Sequence, residues 1–363
     1  MKIVIDVRCI TGRMHGIGRH AVNIINCLAQ IDRENKYLVL IRKQAIENFK
    51  NLPDNFKIKT VDIKPYTIAE QIMLPLILKK EDFDVYYTPN YTAPLFLNKP
   101  VIFTIHDLIH MLYPHDYTFF HRIYYRVVVK KLAKKCYKVL VVSNSTKSDV
   151  IRLLEVPSDK IIVNYNGVEE RFSPGDRKKS LEYVFQRFGL NRKFILWVGN
   201  EKPHKNLKNT IEAFKIVSNS ISDLHLLVIG APEQKYQTES IDEKVHFLKI
   251  SSDDDLVALY RSAEALVVPS LYEGFCLPVL EAFACGCPVL TSDRASVPEI
   301  AGDSAIFVNP EKPGEIAEAI GSIITNPSLK ESLKRKGIER AKQFLWKISA
   351  EKLLGIFENI KQP

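Results

Sequence analysis

The chain has 363 residues, 46% of them hydrophobic and 26% charged. That is ordinary globular composition at a length suited to two domains, and no apolar run reaches the roughly 18 residues needed to cross a bilayer, which argues against a helical membrane-spanning protein. Six scattered cysteines form no C-x-x-C pair, so buried thiols in a reducing cytosol are expected rather than a disulfide framework.

The first segment, "MKIVIDVRC", carries an acid at Asp6 and no small-residue cleavage site, and reads as a strand rather than a signal peptide. Next comes "RCITGRMHGIGRHAVNIINCLAQ", in which Gly16-Ile17-Gly18 opens an amphipathic helix. Glycines there let a backbone approach a ligand, and a helix N-terminus offers N–H groups to an anion; a plain tight turn is the alternative. The pattern is not G-x-G-x-x-G, and no ribose-binding acid follows, which argues against a nicotinamide-dependent oxidoreductase.

Apolar, β-branched runs at 37–41, 84–88, 101–105 and 138–143 continue the first half as parallel strands alternating with helices. His106 and Asp107 follow the strand 101–105. A histidine at the carboxyl end of a buried strand lies where open α/β sheets bind ligands; a satisfied core histidine is the ordinary alternative.

The net charge of +9 lies almost wholly in the first 170 residues. "HRIYYRVVVKKLAKKCYK" (121–138) has seven basic residues and no acid. As a basic amphipathic helix it suits an anionic membrane surface through Arg122, Arg126, Lys130, Lys131, Lys134 and Lys135. A solvated surface helix explains it equally well, and no recognition motif supports nucleic acid.

Around 167–180, "GVEERFSPGDRKKS" collects Pro, Gly, Ser and charges without periodicity and reads as a domain break. Strands follow at 194–199, 224–230, 244–249, 264–270 and 288–292, enough for a second doubly wound sheet. After the strand ending at Gly199 comes "NEKPHKNLKNTIEAF", with Lys202 and Lys205 ahead of a helix starting near Asn206. Cations beside a helix N-terminus suit an anion; solvated loop lysines are the alternative. The stretch "PSLYEGFCLPVLEAFACGCPVL" then places Glu273 in a loop and Glu281 within a helix beginning near Leu277 or Pro278. Eight positions apart, the two carboxylates cannot be i, i+4 partners, but they can bracket a ligand along its length. Ionised carboxylates only accept hydrogen bonds and so suit hydroxyl-rich groups. One on a ribose, one on a sugar, and N–H groups of Phe275, Cys276 and Leu277 on phosphates between would describe a nucleotide sugar. The final stretch, "QFLWKISAEKLLGIFENI", is an amphipathic helix.

Taken together, "EGFCLPVLE" (the E-x7-E motif), the "GIG" loop, "HD" at 106–107, "VSNSTKSDV", "NGVEERFSP" and "VGNEKPHKNL" resemble the family 4 retaining glycosyltransferases, and are similar to bacterial surface-polysaccharide mannosyltransferases. The resemblance spans nearly the whole chain. It implies an α/β GT-B fold: two Rossmann-like doubly wound domains with parallel sheets facing across a cleft. Residues 1–170 would form the acceptor domain, completed by a C-terminal helix 346–363, and 171–345 the donor domain. It implies that Glu273 binds hydroxyls of the transferred sugar, Glu281 the ribose, Lys205 the diphosphate, and His106 lies near the transferred sugar; His106, Lys205 and Glu273 would be catalytic. Gly16, Ile17 and Gly18 would sit under the phosphates, with Asn200, Gly230, Leu248, Gly274, Phe275, Cys276 and Leu277 completing the donor site. Many relatives carry arginine where this chain has Asn200, leaving Asn200 or Lys202 to serve instead. Cys276 replaces a small residue, often glycine; only its backbone N–H is needed, so little effect is expected.

The implied reaction moves a hexose, mannose favoured, with retention of configuration. No metal and no cofactor take part; the donor, GDP-mannose favoured, is a substrate. The acceptor would be a glycan or lipid-linked saccharide at the cytoplasmic side, with peripheral attachment to the membrane. A GT-B sugar-nucleotide epimerase and a non-catalytic nucleotide-sugar binding protein are the competing readings.

Overall fold

The computed structural model describes residues 1–10, 16–117, 123–233 and 242–360. The chain divides into two compact units: Met1–Gly167 joined by the chain from Trp346 onward, and Val168–Leu345. Residues 168–170 therefore fall in the second unit, where Val168 pairs with Leu345 in an isolated parallel bridge and its N–H donates to the Phe344 carbonyl at 2.9 Å.

The first unit holds seven parallel strands: β1 (Lys2–Asp6), β2 (Lys36–Ile41), β3 (Phe56–Thr60), β4 (Val85–Thr88), β5 (Val101–Ile105), β6 (Lys138–Val141) and β7 (Ile161–Val163), in spatial order β3-β2-β1-β4-β5-β6-β7. The second holds six: β8 (Lys193–Val198), β9 (Leu224–Ile229), β10 (Val245–Leu248), β11 (Ala265–Val268), β12 (Val289–Ser292) and β13 (Ile306–Val308), in order β10-β9-β8-β11-β12-β13. Parallel strands need crossover helices on both faces, which is why the central strands are apolar throughout. In each sheet the order reverses beside the first strand of the unit, between β1 and β4 and between β8 and β11. Ligands of open α/β sheets bind outside the carboxyl ends of the strands at such a switch point.

Three strands do not appear in the sequence reading: β3, β7 and β13. All are sheet edges. β3, "FKIKT", is mostly exposed, and β7 and β13 are three residues each, so neither has the continuous apolar run that marks a two-sided burial.

On one face of the first sheet, helix Ile68–Leu78 and the helical stretch Tyr125–Lys135 share a single core with the strands, through Leu74, Leu78, Tyr125, Val129 and Leu132. Helix Trp346–Ile360 belongs to the first unit and packs on helix Gly16–Ile31. Its Ser349 Oγ donates to the Tyr165 carbonyl at 2.5 Å, and Asn164 Nδ2 donates to the Ser349 carbonyl at 3.1 Å. Four of the cysteines, Cys136, Cys276, Cys285 and Cys287, are buried free thiols.

Candidate active site

In the second unit the candidate residues gather at the carboxyl ends of β8 to β11. Gly199 and Gly230 close the ends of β8 and β9, with the Gly199 N–H donating to the Ile229 carbonyl at 3.1 Å. Gly230 has φ +90°, and a Cβ there would stand 2.2 Å from the Gly199 carbonyl oxygen. Only glycine fits so close an approach in that conformation. Asn200 is exposed, and its Oδ1 accepts the Lys202 N–H at 3.1 Å, an Asx turn that fixes the loop. Leu248 ends β10, half-buried.

Lys205 and Glu273 meet in a two-pronged ion pair: Lys205 Nζ donates to Glu273 Oε1 at 2.6 Å and to Oε2 at 2.8 Å. Each is held from behind. Asn206 is in the left-handed region at φ +59°, and its Nδ2 donates to the carbonyls of Pro269 at 2.9 Å and Pro310 at 2.6 Å. That ties the Lys205 turn to the loops after β11 and β13. Ser270 Oγ donates to Glu273 Oε1 at 2.8 Å, and Ser296 Oγ donates to the Glu273 carbonyl at 2.9 Å. Side chains whose neighbours are themselves hydrogen-bonded are preorganised.

Gly274, Phe275 and Cys276 are buried, and helix Leu277–Ala284 begins directly after them. Cys276 caps it at φ +69°. A side chain in that region is strained, which gives glycine a physical reason to stand there; the sequence reading considered only the N–H. Glu281 lies on the helix, 7% exposed, and accepts from the Tyr260 hydroxyl at 3.0 Å. Burial, with the Glu281 carboxylate second, holds the Tyr260 phenol protonated far above its ordinary range. The structure thus joins Lys205 to Glu273 but anchors Glu281 separately, on Tyr260.

In the first unit, Gly16, Ile17 and Gly18 open helix Gly16–Ile31, whose His20 lies wholly inside. The remainder of the loop before it, 11–15, lies outside the described residues, as does Arg122. His106 follows β5, half-buried, and its Nε2 donates to the Pro89 carbonyl at 2.8 Å. The His106 ring stands edge-on to His20 at 4.8 Å, and Trp346 stands edge-on to His20 at 5.5 Å. His20 Nδ1 donates to Asn166 Oδ1 at 2.8 Å. His106 is therefore part of a histidine pair.

Both imidazoles are neutral. Burial, and then the neighbouring His106, lowers the His20 pKa to about 3, and burial lowers that of His106 to about 4. Their folded pKa values lie below the unfolded value near 6.5, so the unfolded chain takes up protons first as pH falls. Stability is then lost from about pH 6.5 downward, at up to ~1.4 kcal/mol per pH unit for each imidazole. His20, the more enclosed, contributes most. Thermal unfolding of wild type and His20→Gln between pH 8 and pH 5 tests this: wild type should lose stability steeply below pH 6.5 and the variant less so. Parallel curves would refute it.

Comparison with known proteins agrees with this architecture. A family model described as Glycosyltransferase Family 4 matches residues 14–172, and one described as Glycosyl transferases group 1 matches residues 183–340. The chain is 31% identical over 288 residues to the O-antigen chain mannosyltransferase RfbU of Salmonella typhimurium, covering 77% of this chain and 76% of that relative. The chain belongs to glycosyltransferase family 4. This glycosyltransferase is also 26% identical to the O-antigen chain mannosyltransferase B of Escherichia coli, over 98% of this chain and 100% of the relative. Among solved structures, Anabaena Alr3699/HepE in complex with UDP and glucose superimposes with a TM-score of 0.79 at 17% identity, covering 99% of this chain and 100% of that one. WaaG, a glycosyltransferase involved in lipopolysaccharide biosynthesis, gives 0.75 at 17% identity, covering 98% and 99%. At such identity these structures speak for the fold, which is GT-B.

Several residues of the glycosyltransferase that hold the candidate groups are missed by sequence reasoning: His20, Asn166, Asn206, Tyr260, Ser270 and Ser296. His20 carries a local signal, one helical turn beyond Gly16. Tyr260 carries none, because its partner is 21 positions away on another helix.

Proposed function

We propose that this enzyme transfers a hexose, mannose favoured, from a nucleoside-diphosphate sugar to a hydroxyl of a glycan or lipid-linked saccharide in cell-surface polysaccharide synthesis. GDP-mannose is the favoured donor, configuration is retained, and no metal is needed. The observation that carries the reading is the Lys205–Glu273 pair at the β8/β11 switch point. A diphosphate arriving there offers Lys205 a second anionic partner and frees Glu273 to accept hydroxyls of the transferred sugar. Cationic charge at the developing phosphate stabilises the leaving group, and the departing phosphate oxygen takes the acceptor's proton. With a good leaving group, no carboxylate acid/base pair is required, unlike glycoside hydrolysis. The two relatives named as O-antigen mannosyltransferases support mannose.

A thermal-shift panel of GDP, UDP, ADP and dTDP tests the nucleotide; a ligand at 100 times its dissociation constant should stabilise by about 2.7 kcal/mol. Glu281→Gln replaces one acceptor oxygen by a donor facing the ribose and should weaken the nucleotide that binds by roughly 1–3 kcal/mol, read by calorimetry. An unchanged dissociation constant would remove Glu281 from the site. Incubating the donor with and without an acceptor, in the presence of EDTA, separates transfer from epimerisation and from binding alone.

Peripheral attachment to an anionic membrane is a second reading, now carried by a different element. Lys130 and Lys134 both pair with Glu155, at 2.6 and 2.9 Å, so the basic helix presents less free charge than its sequence suggests. Helix Ile68–Leu78, on the same face of the sheet, exposes Ile68 (80%), Ile72 (59%), Met73 (50%) and Leu76 (60%) along one side. Among the described residues no helix is long and apolar enough to cross a membrane, so this stripe would enter the interface side-on. Liposome flotation should show anionic, salt-sensitive binding that Ile72→Ser with Leu76→Ser abolishes and that Lys131→Gln with Lys135→Gln weakens. Failure of wild type to float under any condition would end the membrane reading.

A further inference from the structure

The carboxyl edge of the first sheet carries a cluster of tyrosines that the donor chemistry does not use. Tyr66 follows β3, Tyr91 follows β4, and Tyr124 enters the helical stretch before β6. The Tyr66 and Tyr91 rings stack at 5.1 Å and 29°, and Tyr124 stands edge-on to Tyr66 at 5.8 Å. Tyr66 keeps 42% of its surface exposed. It also has φ +64°, a left-handed conformation that is a genuine outlier for so bulky a residue. Strain of this kind persists only where the surroundings over-determine it, and it collects at functional sites.

The surroundings are explicit. Glu70 Oε2 accepts the Tyr66 N–H at 2.9 Å and the Thr92 hydroxyl at 2.6 Å. With its proton given to Glu70, Thr92 Oγ1 accepts from the Tyr124 hydroxyl at 3.0 Å. Asn90 Nδ2 donates to the Tyr66 hydroxyl. A buried polar network thus places two tyrosines of the cluster, at the end of the sheet where the β1/β4 switch point lies. A fully satisfied polar network of this kind rigidifies what it holds. The network satisfies the buried Glu70 carboxyl, and the side chain it positions at its outer end, Tyr66, is 42% exposed.

We infer that Tyr66, Tyr91 and Tyr124 form a platform that binds a pyranose ring of the saccharide acceptor. A pyranose has one face of apolar C–H groups and a rim of hydroxyls. An aromatic face with a phenolic or amide group at its edge matches both, one end apolar and one end wet. The inference rests on the reading that the acceptor is a glycan, and it names where in the first unit that glycan sits. The tyrosines are binding residues; nothing assigns them a chemical step.

The decisive variant is Tyr66→Gly. Glycine adopts positive φ without strain, so this variant should keep or raise the thermal stability of the chain while removing the ring. The probes are methyl α-pyranosides of mannose, glucose and galactose at millimolar concentration, with guanosine as a rival stacking ligand. Saturation-transfer NMR with irradiation of the aromatic protons should light up the C–H face of at least one pyranoside in wild type. In Tyr66→Gly and Tyr124→Ala the apparent affinity should fall about tenfold or more. No transfer to any pyranoside, transfer undiminished in both variants, or transfer to guanosine alone would overturn the platform. So would a marked loss of stability in Tyr66→Gly with pyranoside binding intact, since the ring would then be structural. The nucleotide thermal-shift panel on the same samples keeps the two readings apart: the donor proposal falls if no nucleotide stabilises wild type, whatever the pyranosides do.

Discussion

Lys205→Ala should lower turnover at saturating donor by about 100-fold or more, the usual loss when one preorganised charge at a developing anion is removed. In the folded chain Lys205 is committed to Glu273 through two hydrogen bonds at 2.6 and 2.8 Å, and both side chains are largely enclosed. Removing the lysine therefore does two things. In the proposed reaction it takes charge stabilisation from the leaving group, and in the folded chain it leaves a mostly buried carboxylate without its cation, for which a further loss of about 1–3 kcal/mol in stability is expected. The double variant Lys205→Ala with Glu273→Gln separates these effects. It should recover stability, because a neutral amide needs no counterion and Ser270 Oγ, which donates to Glu273 Oε1 at 2.8 Å, can still donate to it. It should not recover turnover. Wild-type turnover in Lys205→Ala, measured once a donor is known, would remove the pair from the mechanism.

Arg8→Met should be the most destabilising single change in the first unit. Arg8 is 1% exposed, at the end of β1. Its Nε donates to Asp6 Oδ1 at 2.9 Å, its Nη2 to Asp6 Oδ2 at 2.6 Å and to Glu70 Oε1 at 2.8 Å, and its Nη1 to the Ile63 carbonyl at 3.0 Å. Tyr86 adds a hydroxyl to Asp6. Burial raises the pKa of Glu70 against the opposing pull of Thr92 and Arg8, so the carboxyl depends on these partners to stay ionised. Methionine fills much of the space but leaves two buried carboxylates facing each other without a cation. Breaking a buried ion network by removing one member typically costs 3–5 kcal/mol. At about 2–4 °C per kcal/mol for a unit of this size, the midpoint of thermal unfolding should fall by roughly 10 °C. The variant Asp6→Asn, Arg8→Met, Glu70→Gln removes every charge together and should recover most of the loss. A midpoint within a degree or two of wild type for Arg8→Met alone would show that the network contributes little.

The network also marks where sequence reasoning stopped. Arg8 and Glu70 are 62 positions apart and neither stands in a motif. In the sequence Asp6 is only an acid within an apolar run, with nothing local to mark its pairing with Arg8. The amphipathic pattern of the basic stretch 121–138 carries no sign that Lys130 and Lys134 both reach Glu155 from another segment.

By itself the sequence determined the layering and the identity of the candidate groups. Two-sided burial writes continuous apolar runs into central parallel strands, so β1, β2, β4 to β6 and β8 to β12 could be found from local pattern. Glu273 and Glu281 could be found because their spacing straddles one loop-to-helix junction, and Lys205 because it precedes one. What only the tertiary structure decided is how these groups are paired and held. The lysine of one βα loop reaches the glutamate of another because β8 and β11 are neighbours in the sheet, 68 positions apart in the chain at the point of contact. Strand order is set by crossover packing over whole domains, and no local period encodes it. The same holds for backbone conformation: that Cys276 and Tyr66 stand at φ +69° and +64° follows from what closes around them, because a residue that disfavours the left-handed region adopts it only when its surroundings leave no other.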